Sequence, residues 1–219
     1  MPDGQQAVDA PITLDNLNRK HRPSKRATRS NDMAKDHDVE LTSETLHMRP
    51  FRKSDAEPIC EAVCESMNEF LPWLPWCHDA YTIDDTRAFL ASRAETFEKE
   101  GEYGFAIVER RSSRLVGACG MNQIDQANAR ANLGYWIRRS AMRRGYATAA
   151  SLLLARWAFD TLALERLEFV VAVGNDASQR VAQKVGTVRE GVARKRLHVR
   201  GKALDAVVNS LVREDLDWR

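Results

Sequence analysis

The chain has 219 residues, of which 43% are hydrophobic and 29% are charged, and its formal net charge is +2. This is the composition of a globular domain, and so small a net charge excludes a protein-wide field that would attract nucleic acid or membrane. No apolar run approaches the ~18 residues of a membrane-spanning helix, and the first residues lack the apolar core of a secretory signal. We therefore expect a cytoplasmic protein with reduced cysteines and no membrane contact.

Residues 1–40 are polar, lack aromatic side chains and show no hydrophobic periodicity. This predicts a disordered extension, followed by one domain over residues 41–219. Within the extension, the segment Arg19–Arg29 carries six Lys and Arg residues and no acid. It could contact RNA or the ribosome, and it could equally be a solvated tail. Met33 is also a candidate start of translation, which would leave residues 1–32 outside the natural protein.

The first half of the domain predicts a strand, two helices and one irregular segment. LHMRPF predicts a short strand ended by its proline, and SDAEPICEAVCESM a helix capped by Ser54. One face of this helix is expected to be buried, formed by Ile59, Ala62, Val63 and Cys64. FLPWLPW interleaves prolines with tryptophans and cannot be a regular element. The helix after it has Thr82 as N-cap, Asp84 and Asp85 in its first turn, and ends at Gly101.

The second half predicts most of a sheet and two further helices. YGFAIVER, RLVGACGMNQI and ANLGYWI form a three-stranded meander, with a turn at Ser112 and Ser113 between the first two. GYATAASLLLARWAFDTL predicts a long amphipathic helix, and RLEFVVAV a strand buried on both faces. The short helix ASQRVAQKVG ends at Gly186, and two last strands flank a turn at Gly201. This order indicates one mixed α/β domain with a largely antiparallel sheet.

The four cysteines, Cys60, Cys64, Cys77 and Cys119, show no CxxC spacing. Cys60 and Cys64 stand four apart on a predicted helix and could in principle hold a metal, but no matching Cys or His pair follows. We therefore predict buried thiols and no metal site.

The most informative stretch is GYWIRRSAMRRGYATAA, which begins as a strand and ends as a helix. A helix N-terminus presents unpaired N–H groups and a partial positive charge, so it attracts anions such as phosphate. Gly145 allows close approach of the backbone, and Arg143 and Arg144 add charged donors. The stretch contains neither GxGxxG nor GK[ST]. An ordinary surface loop with two arginines is the alternative interpretation.

LGYWIRRSAMRRGYATAA resembles the acetyl-CoA-binding core of the GNAT N-acetyltransferases, and within them the RimJ/RimL-like ribosomal-protein N-terminal acetyltransferases. The family loop Q/R-x-x-G-x-G/A falls on residues 142–147, where the glycine and the last position match and Met142 departs. LHMRPFRKSDAEPI, FLPWLPW, LERLEFVVAVGNDASQRVAQKVG and GVARKRLHVRGKALDAVVNSLVREDL are similar to further family motifs in the same order. Thr187 and Asn132 stand where Phe and Glu are common.

The resemblance implies a GNAT fold, which is a central mixed, mostly antiparallel twisted sheet, splayed between the fourth and fifth strands and flanked by helices. It also implies acetyl-CoA as cosubstrate, with no metal. The splayed strand would expose peptide groups to the pantetheine arm, and the loop would hold the pyrophosphate. The implied cofactor-binding residues are Tyr135, Trp136, Ile137, Met142, Arg143, Arg144, Gly145, Tyr146, Ala147, Thr148 and Asn175.

For catalysis, the resemblance implies that the Ser178 hydroxyl donates a proton or hydrogen bond to the departing CoA thiolate. The spacing of Ser178 with Ala182 and Val185 predicts that it faces the sheet. The alternative is that Asn175 and Ser178 merely cap their helix.

An ammonium acceptor must lose a proton before its nitrogen can attack. Glu69, beside the Pro-Trp segment, is the predicted base, with Asp79 or a water chain as alternatives. Trp73 and Trp76 are predicted to line the acceptor cleft, the alternative being that they pack against the core. The Cys and His residues form no nucleophile pair, which favours direct transfer over an acyl-enzyme.

The sequence therefore predicts an acetyl-CoA-dependent N-acetyltransferase that acts on the N-terminal α-amine of a protein, by resemblance a ribosomal one. Two alternatives are open: the same chemistry on a small amine such as a polyamine, amino-acid analogue or antibiotic, and a non-catalytic acetyl-CoA-binding module. Dimers are common in the resembling family, so a homodimer is one expected assembly.

Overall fold

The computed structural model of the chain describes residues 39–98 and 102–216. The predicted extension with its basic segment, and the predicted helix end at Gly101, lie outside the described residues. The strands are β1 (Leu41–Thr42), β2 (Leu46–Pro50), β3 (Tyr103–Glu109), β4 (Leu115–Asp125), β5 (Arg130–Ile137), β6 (Arg166–Ala172), β7 (Val188–Val199) and β8 (Lys202–Val212). The helices are α1 (Ala56–Glu65), α2 (Met67–Phe70), α3 (Ile83–Glu98), α4 (Tyr146–Thr161) and α5 (Asp176–Val185).

The strands form a single sheet in the order β1-β2-β3-β4-β5-β6-β8-β7. All neighbouring pairs are antiparallel except β5 and β6, which are parallel. The predicted mixed, mostly antiparallel sheet flanked by helices is therefore confirmed. Two short elements, β1 and α2, were not predicted, so the fourth and fifth strands of the sequence prediction are β5 and β6.

Helices pack on both faces of the sheet at β3, β4 and β5. Neighbouring residues of β3 belong to different cores: Phe105 packs with α4, while Ala106 packs with α1 and α3. This alternation follows from the period of two along a strand. The face towards α1–α3 is the one that carries Trp136 of β5.

The start of α1 differs from the prediction. Ser54 lies inside a 3-10 turn, Lys53–Asp55, and α1 begins after Asp55. The Asp55 carboxylate accepts two hydrogen bonds from the Arg49 guanidinium, at 2.8 and 2.7 Å, and one from the backbone N–H of Arg52 at 2.8 Å. Asp55 is 4% exposed, so a buried ion pair with β2 fixes this turn, and the predicted cap at Ser54 is wrong.

Two burial predictions also need correction. Cys77 and Cys119 are buried as predicted, but Cys60 is half-buried and Cys64 is exposed on the outer face of α1. In β6, Leu167 and Phe169 are buried, whereas the alternate residues Arg166 and Glu168 are only half-buried. The strand was predicted to be buried on both faces. At its start only one face is buried, because the charged side chains of Arg166 and Glu168 form an ion pair on the other. At its end, where Val171 and Ala172 are both buried, the prediction is confirmed.

Thr82 directly precedes α3, and Asp84 and Asp85 lie in its first turn, as predicted. The Asp85 carboxylate accepts hydrogen bonds from the Thr82 N–H at 2.7 Å and from its hydroxyl at 2.9 Å. Gly186 ends α5 with φ +94°, a left-handed conformation that suits glycine. None of the helices in the described ranges is long and apolar enough to cross a membrane.

Leu154 of α4 is fully buried in the core on the α4 face, whereas the adjacent Leu153 is half-buried. We expect Leu154→Ala to lower the free energy of unfolding by about 3 kcal/mol, because the transfer energy is lost and a cavity remains. Leu153→Ala removes the same atoms and is expected to cost about 1 kcal/mol. Urea unfolding of both variants checks this, and equal losses would contradict the assignment of the core.

Candidate active site

The centre of the sheet opens into a wedge between β5 and β6. The two parallel strands are in register at three positions, the last being Asn132 opposite Glu168. Beyond this point β5 continues only with β4, through Ile137, and β6 continues only with β8, through Ala172. Peptide groups of β5 that face β6 beyond Asn132 therefore border an open gap. The predicted splay between these two strands is present.

Tyr135 and Ser178 meet across the wedge. The Tyr135 hydroxyl on β5 and the Ser178 hydroxyl on α5 lie 2.8 Å apart, and either can be the donor. Burial raises the pKa of Tyr135 to about 12, so the phenol remains protonated at neutral pH. Ser178 faces the sheet, as its spacing with Ala182 and Val185 predicted. A hydroxyl pair thus stands where the two strands separate.

Asn175 is the N-cap of α5. Its side-chain oxygen accepts a hydrogen bond from the backbone N–H of Ser178 at 3.1 Å. The capping alternative therefore describes Asn175 and the backbone of Ser178. It does not describe the Ser178 hydroxyl, which bonds Tyr135 instead of its own first turn.

The loop before α4 has the backbone shape of an anion-binding site. Arg143 has φ +62° and Gly145 has φ +83°, and Gly145 immediately precedes α4. Alternation of left-handed and ordinary residues turns successive N–H groups to one side, where they can surround an anion. The side chains of Arg143 and Arg144 are exposed. The arrangement matches the predicted combination of helix N-terminus, glycine and two arginines.

The other predicted loop residues are partly or fully packed inside. Tyr146 is 8% exposed, and its hydroxyl donates a hydrogen bond to Glu109. Its side chain therefore anchors α4 to β3, which leaves its backbone N–H for an anion. Met142 is half-buried and contacts both cores, and Ala147 and Thr148 are half-buried. Arg144 lies 3.9 Å from Glu109 in a loose ion pair.

Side chains of the splayed strand alternate between the two faces. Tyr135 and Ile137 pack on the α4 side, and Trp136 packs on the α1–α3 side. It is consequently the backbone of these three residues that borders the wedge, which suits a peptide-like ligand better than a contact through their side chains.

A buried arginine between β5 and the loop was missed at the level of sequence. Arg138 is 1% exposed and donates to Glu61 at 2.6 Å, to Glu65 at 3.1 Å through Nε, and to the Leu115 carbonyl at 3.3 Å. The signal was available: a period of two places Arg138 on the same face as Trp136, towards α1. We call Arg138, Glu61 and Glu65 the α1 clamp.

The α1 clamp also fixes the backbone that leads into the loop. Glu65 accepts hydrogen bonds from the Ser140 N–H at 3.0 Å and from its hydroxyl at 2.8 Å. The Ser66 hydroxyl accepts from the Arg139 N–H at 2.9 Å. Hydrogen bonds from Arg138 and Ser140 lower the pKa of Glu65 to about 2. Helix α1 thus determines where the loop before α4 starts.

The predicted acceptor-side residues lie in and beside the Pro-Trp segment. Trp73 stands next to Gly174, which follows β6: a Cβ there would lie 3.7 Å from the indole. Trp76 is 42% exposed and packs edge-on against Trp136, with ring centroids 6.4 Å apart. Trp76 therefore covers apolar surface and Trp73 borders the region beside the wedge, and their role in an acceptor cleft stays a prediction.

The two candidate bases have different surroundings. Oε1 of Glu69 lies 3.4 Å from Nε of Arg139, while its buried Oε2 has no hydrogen-bond partner in the described part of the chain. Asp79 is paired with Arg200 of the β7–β8 turn at 2.6 Å. Glu69 retains a free carboxylate oxygen, whereas Asp79 is committed to an ion pair. The structure records no direct contact between Glu69 and Ser178, both of which it describes.

The described ranges contain no group of three or more His, Cys, Asp and Glu side chains that could hold a metal ion.

Residues 45–188 match the family described as the acetyltransferase (GNAT) domain. The chain belongs to this family. It is therefore an acyltransferase of the N-acetyltransferase type, and the family resemblance of its sequence is confirmed. The probable N-acetyltransferase YjcK of Bacillus subtilis (strain 168) is 31% identical over 177 residues, which cover 80% of this chain and 98% of YjcK.

Two further similarities are to proteins named as acetyltransferases of ribosomal proteins. The ribosomal-protein-serine acetyltransferase of Escherichia coli (strain K12) is 24% identical over 68% of this chain and 82% of its own length. The solved structure of RimL, a ribosomal L7/L12 α-N-protein acetyltransferase in complex with coenzyme A, superposes with a TM-score of 0.73. The superposition covers 80% of this chain and 98% of RimL. The sequence identity is 19%, so this similarity shows the fold alone.

Removing the Arg138 side chain should break the α1 clamp and destabilise the protein. We expect Arg138→Ala to lower the free energy of unfolding by about 3 kcal/mol, because a buried ion pair is broken and, in the described part of the chain, Glu65 keeps only the more distant Arg114, at 3.7 Å. The control is Arg156→Ala on the exposed face of α4, with an expected change within about 0.5 kcal/mol. Urea unfolding of both variants is the measurement, and a loss at Arg138 no larger than at Arg156 would refute the clamp.

The same clamp predicts a pH dependence. The pKa of Glu65 is about 2 in the folded chain against 4.5 for an ordinary glutamate. Its stabilising contribution is therefore complete above about pH 4.5 and is lost as the pH falls towards 2. The difference in unfolding free energy between wild type and Glu65→Gln should shrink over that window. The exposed Glu57→Gln should show no such trend, and a constant difference for Glu65→Gln would exclude the mechanism.

Proposed function

We propose that the protein transfers the acetyl group of acetyl-CoA directly to a primary amine, and that the natural acceptor is the N-terminal α-amine of a ribosomal protein. The observation that carries this proposal is the wedge between β5 and β6, bordered by Ser178 and followed by an anion-binding loop.

The residues present fit acetyl-CoA. Its diphosphate suits the backbone N–H groups around Gly145 and the exposed guanidinium groups of Arg143 and Arg144. Its pantetheine arm carries amides, which suit the peptide groups of β5 beyond Asn132. Met142 has no side-chain donor, and its backbone N–H already donates to the Arg139 carbonyl at 3.2 Å, so this position offers no donor to a phosphate. When bound, acetyl-CoA supplies an acetyl group activated as a thioester.

On the leaving-group side, we assign Ser178 the role of proton or hydrogen-bond donor to the thiolate that leaves. Tyr135 is protonated at neutral pH because its pKa is about 12, so it can donate to the Ser178 oxygen over their 2.8 Å contact. That orientation leaves the Ser178 proton free to point into the wedge. Tyr135 then acts as a positioning residue, and Asn175 holds the first turn of α5 in place.

On the acceptor side, Glu69 is the proposed base. Its Oε2 is buried and unpartnered in the described structure, so it can accept a proton from an ammonium group or from a water between them. Arg139, on its other oxygen, fixes the orientation of the carboxylate. Trp73 and Trp76 restrict water around the acceptor.

The choice of a protein N-terminus over a small amine is supported by the names of the relatives. Both the Escherichia coli relative and RimL are named as acetyltransferases of ribosomal proteins. The acceptor side also exposes 42% of Trp76, and an exposed apolar side chain suits an extended peptide better than a small amine, which would need enclosure.

We expect Ser178→Ala to lower kcat about 100-fold with little change in the KM for acetyl-CoA, because a donor to the leaving group acts in the transition state. Tyr135→Phe should lower kcat by roughly tenfold. Ser92→Ala on the surface of α3 is the matched control. Thiol release from acetyl-CoA with N-terminal peptides and small amines is the assay.

Two results would count against the proposal. If small amines are acetylated and no peptide is, the acceptor assignment fails. If CoA binds, no acceptor is turned over and Ser178→Ala changes nothing, the chain binds acetyl-CoA without transferring it.

A further inference from the structure

The edge strand β7 carries a concentration of positive charge that the proposed transfer chemistry does not use. Between Ala193 and Leu197 its register with β8 breaks, so that Arg194, Lys195 and Arg196 stand opposite a single residue, Asp205. We call these three residues the basic bulge. All three are exposed.

The basic bulge is a fixed feature of the backbone. Lys195 has φ +51°, and its N–H donates to the Asp205 carboxylate at 2.8 Å. The one carboxylate opposite the bulge is thus used by the main chain. In the part of the chain that the structure describes, no ion pair joins Arg194, Lys195 or Arg196 to an acid, in contrast to paired arginines such as Arg49.

The position of the bulge relates it to the wedge. The carbonyl of Asp205 accepts a hydrogen bond from the N–H of Val173, at the end of β6, at 2.9 Å. The bulge is therefore one strand away from Gly174, against which Trp73 stands. At the far end of the hairpin, Arg200 pairs with Asp79 beyond the Pro-Trp segment. The β7–β8 hairpin therefore contacts the chain that follows the Pro-Trp segment, and the basic bulge lies on the same hairpin.

We infer that the basic bulge binds acidic side chains of the acceptor, so that the preferred acceptor is a protein whose N-terminal segment carries Asp and Glu residues shortly after its first residue. This inference deepens the proposed function and rests on it for the place of the acceptor amine. Exposed guanidinium and ammonium groups that form no ion pair recognise carboxylates through charge-assisted hydrogen bonds.

Two other occupants fit the strand less well. A second copy of the chain would bring an identical set of positive charges against the bulge, which repel each other. Single-stranded RNA is usually bound by positive side chains interleaved with aromatic rings on which bases stack, and the hairpin segment from Val188 to Lys202 contains no Phe, Tyr or Trp. A carboxylate-rich peptide needs charge alone.

The test compares three peptides that share their first two residues and continue with an acidic, a neutral or a basic sequence. In wild type at low salt, kcat/KM for the acidic peptide should exceed that for the neutral one roughly tenfold, through KM, and the ratio should fall with added salt. In the double variant Arg194→Glu with Arg196→Glu, the ratio should fall to one or below. The control Arg156→Glu reverses an exposed charge on α4 and should keep the wild-type ratio.

Fluorescence anisotropy of the same labelled peptides separates this inference from the proposed function. If none of the peptides is acetylated, the proposed function fails, and tighter binding of the acidic peptide, lost in the double variant, still supports the basic bulge. A wild-type ratio of one, or a ratio unchanged by charge reversal, overturns the inference. The inference is also overturned if the double variant loses affinity for a labelled RNA oligonucleotide while its ratio of kcat/KM for the acidic over the neutral peptide is unchanged.

Discussion

The architecture of the site depends on one interruption of backbone hydrogen bonding. β5 and β6 pair in parallel as far as Asn132 and Glu168 and then separate. Each strand has an antiparallel partner on its other side, β4 and β8 respectively, so neither can bend towards the other without breaking a complete ladder. The wedge is therefore held open by the sheet itself. It is a rigid gap, lined on one side by peptide groups that a ligand with amides can satisfy.

Each diverging strand is followed by a helix whose N-terminus faces the same region. β5 leads through the arginine loop into α4, and β6 leads through Asn175 into α5. The positive ends of two helix dipoles therefore lie near the wedge, one at the loop that contains Gly145 and one beside Ser178. In the proposed reaction, they would favour a phosphate at the first place and a thiolate at the second.

Local signals made much of this predictable. Gly145 and Gly186 mark the limits of α4 and α5 because left-handed conformations there suit glycine. The spacing of Ser178 with Ala182 gave its orientation, since residues three or four apart share a helix face. The loop before α4 was recognisable as a candidate anion site because its residues, Arg143 to Gly145, are consecutive in the chain.

Features that require a distant partner could not be predicted. The Arg138 side chain bonds glutamates 73 and 77 positions away, and from sequence it is one of several arginines near a turn. Ser54 was predicted as the cap because the local sequence does not show that Asp55 forms an ion pair with Arg49. It is this ion pair that fixes the start of α1. The bulge in β7 depends on the register of this strand with β8. The sequence therefore shows the positive charges of Arg194, Lys195 and Arg196, but it does not show that they stand together opposite Asp205.

The α1 clamp has a consequence for how this fold can be recombined. The loop that starts at Met142 contains no residue of α1, yet its approach is tied to Glu65 and Ser66 through Ser140 and Arg139. Moved alone into a related scaffold, the segment from β5 to α4 would bring a buried guanidinium without its carboxylates. Helix α1 and the loop therefore form one structural unit, although about 70 residues separate them in the chain. Chimaeras between members of this family should exchange both pieces together.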